Sequence, residues 1–470
     1  METRSKRILA IVLIVVVGVA IGFTVWFFLV QPYGWSAADA PGAPPGTPSD
    51  RIIKMGVLGG LTDIQGDGQI KGARLAAREI NEAGGIDVNG VTYYIGITAE
   101  DTDESNPNLD ITKGVAAAQR IIDFKQCQFL TGGFRTEALL AYQEVIMDAQ
   151  IPFIGTGAST DIFCENVLTN YARYKYFFRN MPINSTSLAI EILTFIATYQ
   201  NYFNLTNPEN IYKVGLLYED LTWTDGMIAF FNAYLPLYGM SIVSQIAYPT
   251  TVTQTQMDTH MNTLDTAGVQ MLIPVISAQG GILMMNSYAT VKPGFVVLGI
   301  DVQSQLDTYW AQSTGNCKYE TVLQSLFRTN KTDVSIPFWD AYLAAYSQEP
   351  IYTAVGSYDA INMFAWAINQ SQSFNPDTII DTLETITIHN PRPGAGGLGA
   401  FTTSHDVREG YPFGFTLFVQ WQEEAGLTGN PDKQVIPTFG QVYPDSIATA
   451  PYLLPGADGD TDWAGWSFNA

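Results

Sequence analysis

From residue 52 onward, short apolar runs alternate with longer segments in which apolar residues recur every three or four positions. Residues 52–58 (Ile-Ile-Lys-Met-Gly-Val-Leu) form the first run, the length of a strand buried on both faces. Ala73, Leu75, Ala76, Ala77 and Ile80 then recur at helical spacing among Lys71, Arg74, Arg78 and Glu79, which predicts an amphipathic helix. Gly84-Gly85 stops it, since glycine takes the left-handed C-terminal conformation without steric cost. A second strand over 92–98 completes a strand–helix–strand unit with a right-handed crossover. The alternation continues with helices over 112–124, 137–150 and 187–199 and strands over 129–131, 151–154, 213–218, 270–276 and 295–299. Such alternation predicts an α/β body with parallel sheets, whose ligands bind at the carboxyl ends of the strands.

The pattern before residue 52 differs. Residues 8–30 are almost continuously apolar and follow Arg4, Lys6 and Arg7. That is long enough for a tilted bilayer span, with the basic flank held in the cytoplasm and the body outside. Ala38-Asp39-Ala40 is the nearest cleavage-like sequence, but it lies far beyond the apolar run and precedes Pro41, so a retained transmembrane helix is expected rather than a signal peptide. Residues 31–50 carry Pro32, Pro41, Pro44, Pro45 and Pro48. The expectation there is a semi-extended tether, reaching at most about 60 Å at ~3.1 Å per residue.

Length divides the body, because 470 residues exceed one ordinary core and imply two domains or lobes. With 47% hydrophobic and 14% charged residues the chain is folded, not disordered. The net charge of −22, from 45 acidic and 23 basic side chains, argues against nucleic acid or anionic lipid as a partner. Cys127, Cys164 and Cys317 are an odd set, so outside the cell at least one stays unpaired, and spacing does not choose the pair.

Motifs for catalysis are missing. Gly66, Gly68 and Gly72 lie too far past the first strand for a dinucleotide loop, and residues 394–399 fit the glycine spacing but open no helix. Asp458, Asp460 and Asp462 alternate like the start of a calcium loop, yet its glycine and closing glutamate are absent. His260, His389 and His405 are isolated, so neither zinc site nor triad is visible. The chain is expected to be no enzyme and to need no cofactor or metal.

Taken in order, Lys54 to Gly59, Gly72 to Ala77, Glu79-Ile80-Asn81, Ala83 to Ile86 and Glu100-Asp101-Thr102 resemble the start of a type I periplasmic solute-binding protein of the leucine/isoleucine/valine-binding kind. Phe177-Phe178-Arg179 resembles that family's first crossing between lobes, Asp301-Val302 its second, residues 351–370 its late first-lobe helix, and 415–422 with 433–437 the closing hairpin that returns the chain to the second lobe. The resemblance implies two doubly wound parallel-sheet lobes joined by a three-crossing hinge. It places 51–179 and 302–411 in the first lobe, 180–301 and 412–450 in the second, and 451–470 in a tail. It weakens over 309–336 and after Tyr443.

The same resemblance implies a ligand site. Gly157, Ser159 and Thr160 align with positions that hold a ligand carboxylate, a task suited to a hydroxyl and free amides at a strand-to-helix turn. Gly133, Phe134 and Arg135 occupy a second contact loop, where Arg135 departs from the usual small hydroxyl residues and offers a fork for an anion. Trp223 falls where an aromatic closes over the ligand, Ser277 at a further second-lobe contact and Asp301 where an acid receives the ligand ammonium. The implied activity is capture of an amino acid or related small polar solute outside the cell membrane for an ABC permease. The alternative is a sensing module acting through a partner signalling protein.

Overall fold

A computed structural model describes residues 33–206, 212–277, 279–423 and 431–455. The expected membrane span over 8–30 lies outside them, as do Asp458, Asp460 and Asp462. Among the described residues no helix is long and apolar enough to cross a membrane.

The first sheet is built from β1 (Ile52–Gly59), β2 (Ile86–Val88), β3 (Val91–Asp101), β4 (Phe129–Gly132), β5 (Phe153–Gly155) and β6 (Phe177–Arg179), in the order β2-β3-β1-β4-β5-β6. All its pairings are parallel except β2 with β3. Its helices are α1 (Ile64–Glu82), α2 (Ile111–Gln119), α3 (Thr136–Asp148) and α4 (Ile162–Thr169). Gly84 and Gly85 adopt φ of 110° and 79° just past α1, as the sequence predicts.

The second sheet follows α5 (Ser185–Thr206). It comprises β7 (Lys213–Glu219), β8 (Ser241–Tyr248), β9 (Met271–Ile276), β10 (Val296–Asp301) and β11 (Thr321–Gln324), with α6 (Thr222–Tyr234), α7 (Gln254–Thr266) and α8 (Gly281–Val291) between them. The chain then returns to the first lobe as α9 (Ser335–Tyr346), α10 (Tyr352–Ser371) and α11 (Pro376–Leu383), followed by the small hairpin β12 (Arg392–Pro393) and β13 (Leu398–Gly399). That hairpin loop is held by Asp359, which accepts from the backbone N–H of Ala395 at 2.7 Å and of Gly396 at 2.8 Å. It is a braced turn rather than a nucleotide loop. β14 (Leu417–Glu423) and β15 (Pro431–Val435) complete the second sheet, in the order β15-β14-β11-β10-β9-β7-β8.

Two expectations need correction. The second crossing was placed at Asp301-Val302, but β11 pairs parallel with β10 and antiparallel with β14. The chain therefore leaves the second lobe after Gln324, one strand late. β11 is only four residues, Thr-Val-Leu-Gln, all buried, too short for any periodicity to declare it. The Pro-rich segment is likewise no free spacer from Tyr33 onward. Trp35 is buried against Gly96 and Ile52, and its indole N–H donates to the Lys125 carbonyl at 2.7 Å. Asp39 O accepts from Ile97 N at 2.8 Å and Pro41 O from Asn81 Nδ2 at 2.8 Å. The segment is a strap bound to the first lobe. At the far end, Tyr452 and Leu454 are buried, and Leu453 exchanges two bonds with the Gln420 side chain.

Close backbone contact fixes the first lobe. A Cβ at Gly72 would fall 1.9 Å from the Ala354 carbonyl oxygen, so only glycine lets α1 and α10 lie this near. The hinge is tied by Arg179, whose buried guanidinium donates to both oxygens of Asp406 and, through Nη1, to the carbonyls of Ser159 and Thr160 at 2.9 Å each. The three cysteines are buried and free.

Candidate functional site

The carboxyl ends of both sheets open onto one cleft with about 740 Å³ of space, part of it open to solvent. The first lobe contributes Glu104 and Ser105 after β3, Phe134 and Arg135 after β4, Gly157 and Ser159 after β5, and Tyr352 at the start of α10. The loops are pinned from behind. Gln69 Nε2 donates to the Gly133 carbonyl at 2.9 Å and to Thr156 Oγ1 at 3.2 Å, and the Tyr352 hydroxyl donates to the Gly157 carbonyl at 3.1 Å.

The second lobe faces them without charge: Leu221 and Trp223 after β7, Ile300 and Val302 at the end of β10 and Leu323 at β11 stand beside the uncharged polar side chains of Gln279, Gln305 and Gln324. Ile183 and Leu188 close the hinge side. Ser277 also lines the cleft, but its N–H and hydroxyl are both donated to Glu219 Oε2, at 2.8 and 2.5 Å, while Gln279 N donates to Oε1 at 2.8 Å. Glu219 thus shapes the loop after β9. Among the bonds that span the lobes are Thr222 N to Glu137 Oε1 at 2.9 Å, Thr250 Oγ1 to the Pro107 carbonyl at 3.0 Å, Thr186 Oγ1 to Asp161 Oδ2 at 2.9 Å and the ion pair of Lys433 with Glu349 at 2.9 Å. The structure is closed.

Of the residues expected at the site, Phe134, Arg135, Gly157, Ser159, Trp223 and Ser277 line the cleft. Gly133 and Thr160 stand behind it, Gly133 against Leu139 and Tyr142, and Thr160 buried with its carbonyl on Arg179. Asp301 is a clear departure. Its neighbours Ile300 and Val302 face the cleft, so the alternation of strand side chains turns Asp301 away. Its Oδ1 accepts from Gln303 N at 2.9 Å and its Oδ2 from the Tyr309 hydroxyl at 2.8 Å, and it sits against Gly281 at the start of α8. Burial pushes its carboxyl up to about 7, and burial together with the Asp301 charge pushes the neighbouring Glu320 well up. Asp301 organises the second lobe internally.

The acid that does line the cleft is Glu104, which sequence reading passed over. It is fully buried, and burial pushes its carboxyl up to about 7. Oε2 accepts from Arg135 N at 3.3 Å and the Tyr142 hydroxyl at 3.4 Å. Oε1 has no partner. A signal was available, since Glu104 follows three residues after a strand end, where open α/β sheets place ligand contacts. Arg135 is less available than expected: Nη1 donates to the Asn106 carbonyl at 3.0 Å and Nε pairs with Glu137 at 3.3 Å. Among the described residues no group of three or more His, Cys, Asp or Glu is placed to hold a metal.

This two-lobe geometry has known counterparts, and residues 53–414 match the family model for periplasmic binding proteins. The chain belongs to the type I periplasmic binding proteins, in the leucine/isoleucine/valine-binding family. It is a solute-binding protein, not an enzyme. The Leu/Ile/Val-binding protein homolog 8 of Brucella abortus (strain 2308) is 22% identical over 395 residues, covering 82% of this chain and 92% of that one. Among solved structures, an ABC-transporter solute-binding protein from Rhodopseudomonas palustris BisB5, in complex with 3,4-dihydroxy benzoic acid, superposes with a TM-score of 0.65 at 20% identity, over 80% of this chain and 94% of that one. The branched-chain amino acid protein LivJ from Streptococcus pneumoniae, in complex with isoleucine, does so at 0.64 and 18% identity, over 82% and 99%.

Proposed function

We propose that this periplasmic binding protein captures an amino acid or related small solute with an apolar body and delivers it to an ABC permease. Residues 8–30 act as a membrane anchor that keeps the binding body outside the cell. The observation that carries the ligand reading is the closed cleft itself. It has an apolar patch of Leu221, Trp223, Ile300, Val302 and Leu323 on one side, with Phe134 and Tyr352 opposite, and both walls add a few polar groups, the charged ones on the first lobe. A small site of that make-up holds a compact hydrocarbon body and orients a polar head. Ser159 and the amides of its loop suit a carboxylate. Ligand touching both lobes favours the closed state by its differential affinity for it.

The test is a thermal-shift and calorimetry panel of the twenty standard amino acids, their decarboxylated amines, benzoate, 3,4-dihydroxybenzoate, 4-methylpentanoate and 3-phenylpropanoate. Saturating ligand raises apparent stability. At least one member is expected to raise the melting temperature, and a panel without effect contradicts the reading. The anchor is checked by sequencing the N-terminus of membrane-extracted protein, where a terminus at or after Pro41 contradicts it.

A further inference from the structure

The open hydrogen-bonding positions of the cleft are unevenly distributed. Glu104 is the one acid and Arg135 the one base among the described residues that line it. Arg135 is already engaged by Asn106 and Glu137. Glu104 Oε1 in the first lobe and Gln305 Oε1 and Gln324 Oε1 in the second are buried acceptor atoms without a partner, against one unpartnered donor, the indole N–H of Trp223. A buried carboxylate is tolerated when a positive charge meets it, and an unmet acceptor is costly in an apolar site. The protein supplies Glu104 with no such charge: the groups around it are all neutral, Arg135 N at 3.3 Å and the Tyr142 hydroxyl at 3.4 Å, with the Phe134 N–H and the Thr102 hydroxyl beside them.

We propose that Glu104 receives the ammonium group of the ligand, so that the cleft selects amine-bearing solutes with an apolar body and rejects arylcarboxylates that lack an amine. The inference rests on the cleft being the ligand site and deepens that reading by assigning its charge selectivity. The task expected of Asp301 moves to the opposite lobe.

The surroundings of Glu104 fit an incoming cation. Tyr142 comes from α3 and Tyr352 from α10, and both phenols are held up by burial and by the Glu104 charge. The field of Glu219 also reaches Tyr352. On the same loop Asp103 is neutralised by Lys113. The side chain of Arg135, whose backbone N–H meets Glu104, is directed to Asn106 and Glu137. With Glu104 pushed up to about 7, only a minority of the ligand-free protein carries its charge at pH 6. An aliphatic ammonium stays charged throughout this range. Apparent affinity scales with the competent fraction, so amine ligands should bind about tenfold tighter at pH 8 than at pH 6.

The experiment uses the full chain and the same panel, with calorimetry at pH 6 and pH 8 on the wild type and on Glu104→Gln. Glutamine keeps the size of the side chain and its contact with Tyr142 while removing the charge. The expected result is binding of an amino acid or its decarboxylated amine, tightening about tenfold between the two pH values. In Glu104→Gln that binding falls by tenfold or more and its pH dependence disappears. The pH dependence of the wild type answers the question even if the variant fails to fold. Binding confined to 4-methylpentanoate, 3-phenylpropanoate or the benzoates overturns the assignment while leaving the solute-binding reading intact. So does amine binding that is indifferent to both pH and the substitution. A panel in which nothing binds overturns both.

Discussion

The two walls of the cleft are unlike. The first lobe offers a charged and hydroxylated face on loops braced by Gln69, Tyr142 and Tyr352. The second offers Leu221, Trp223, Ile300, Val302 and Leu323 with uncharged polar groups such as Gln305 and Gln324, and turns its acids, Glu219 and Asp301, into its own loops. The same residue class therefore does opposite work in the two halves. In the first lobe an acid is left open to the cleft; in the second, acids hold the backbone that shapes it. A ligand would be oriented by the first lobe and covered by the second.

This contrast can be broken or sharpened by substitution. The largest effect belongs to the first lobe alone: Trp35→Ala should cost about 3–5 kcal/mol of stability, since the ring is buried and anchors the strap to β3. Ligand affinity should change little, as read by denaturant melts beside calorimetry. On the second wall Trp223→Ala should weaken binding by about 2–3 kcal/mol, thirtyfold or more. Equal affinity in that variant would mean that the second lobe does not cover the ligand. Glu137→Ala removes the acceptor of the Thr222 N–H across the cleft. It should shift the protein toward the open state and weaken binding by about 1–2 kcal/mol, with ligand-free stability nearly unchanged.

The smallest effect on binding is expected from Asp301→Asn, within twofold of the wild type by calorimetry. Its consequence lies in stability against pH. The folded carboxyl is raised to about 7, so its contribution is full below the unfolded value of about 4 and is lost as pH rises through about 7. Melting temperature of the ligand-free protein should fall between pH 4 and pH 8, and Asp301→Asn should make that fall shallower. A tenfold loss of ligand affinity would instead restore Asp301 to the cleft.

What the sequence made legible follows the same division. The βα units of the first lobe announce themselves because each strand is a short buried run and each helix carries its own stripe and stop, as with 52–58, Ala73 to Ile80 and Gly84-Gly85. Loops after β4 and β5 could be named as cleft residues for the same reason. The orientation of a strand-end residue was not legible. A shift of one position reverses the face, and nothing in Gly299-Ile300-Asp301-Val302 says which side the cleft takes. β11 was hidden by its length, and the strap by its proline content, because the partners that bury Trp35 come from β1 and β3. Glu104 was missed because an acid in Asp-Thr-Asp-Glu-Ser looks solvated until the fold buries it.

The central claim is that two unlike lobes close on one ligand. Small-angle scattering on a chain beginning at residue 33, which retains Trp35, tests it most directly, using the tightest-binding member of the panel at saturation proven by calorimetry. Among the described residues the closed form is held across the lobes by a few polar contacts, such as Thr222 to Glu137, Thr250 to Pro107 and Lys433 to Glu349. The ligand-free protein should therefore sample an open state, and its radius of gyration should fall on binding. An unchanged radius at proven saturation would contradict the account.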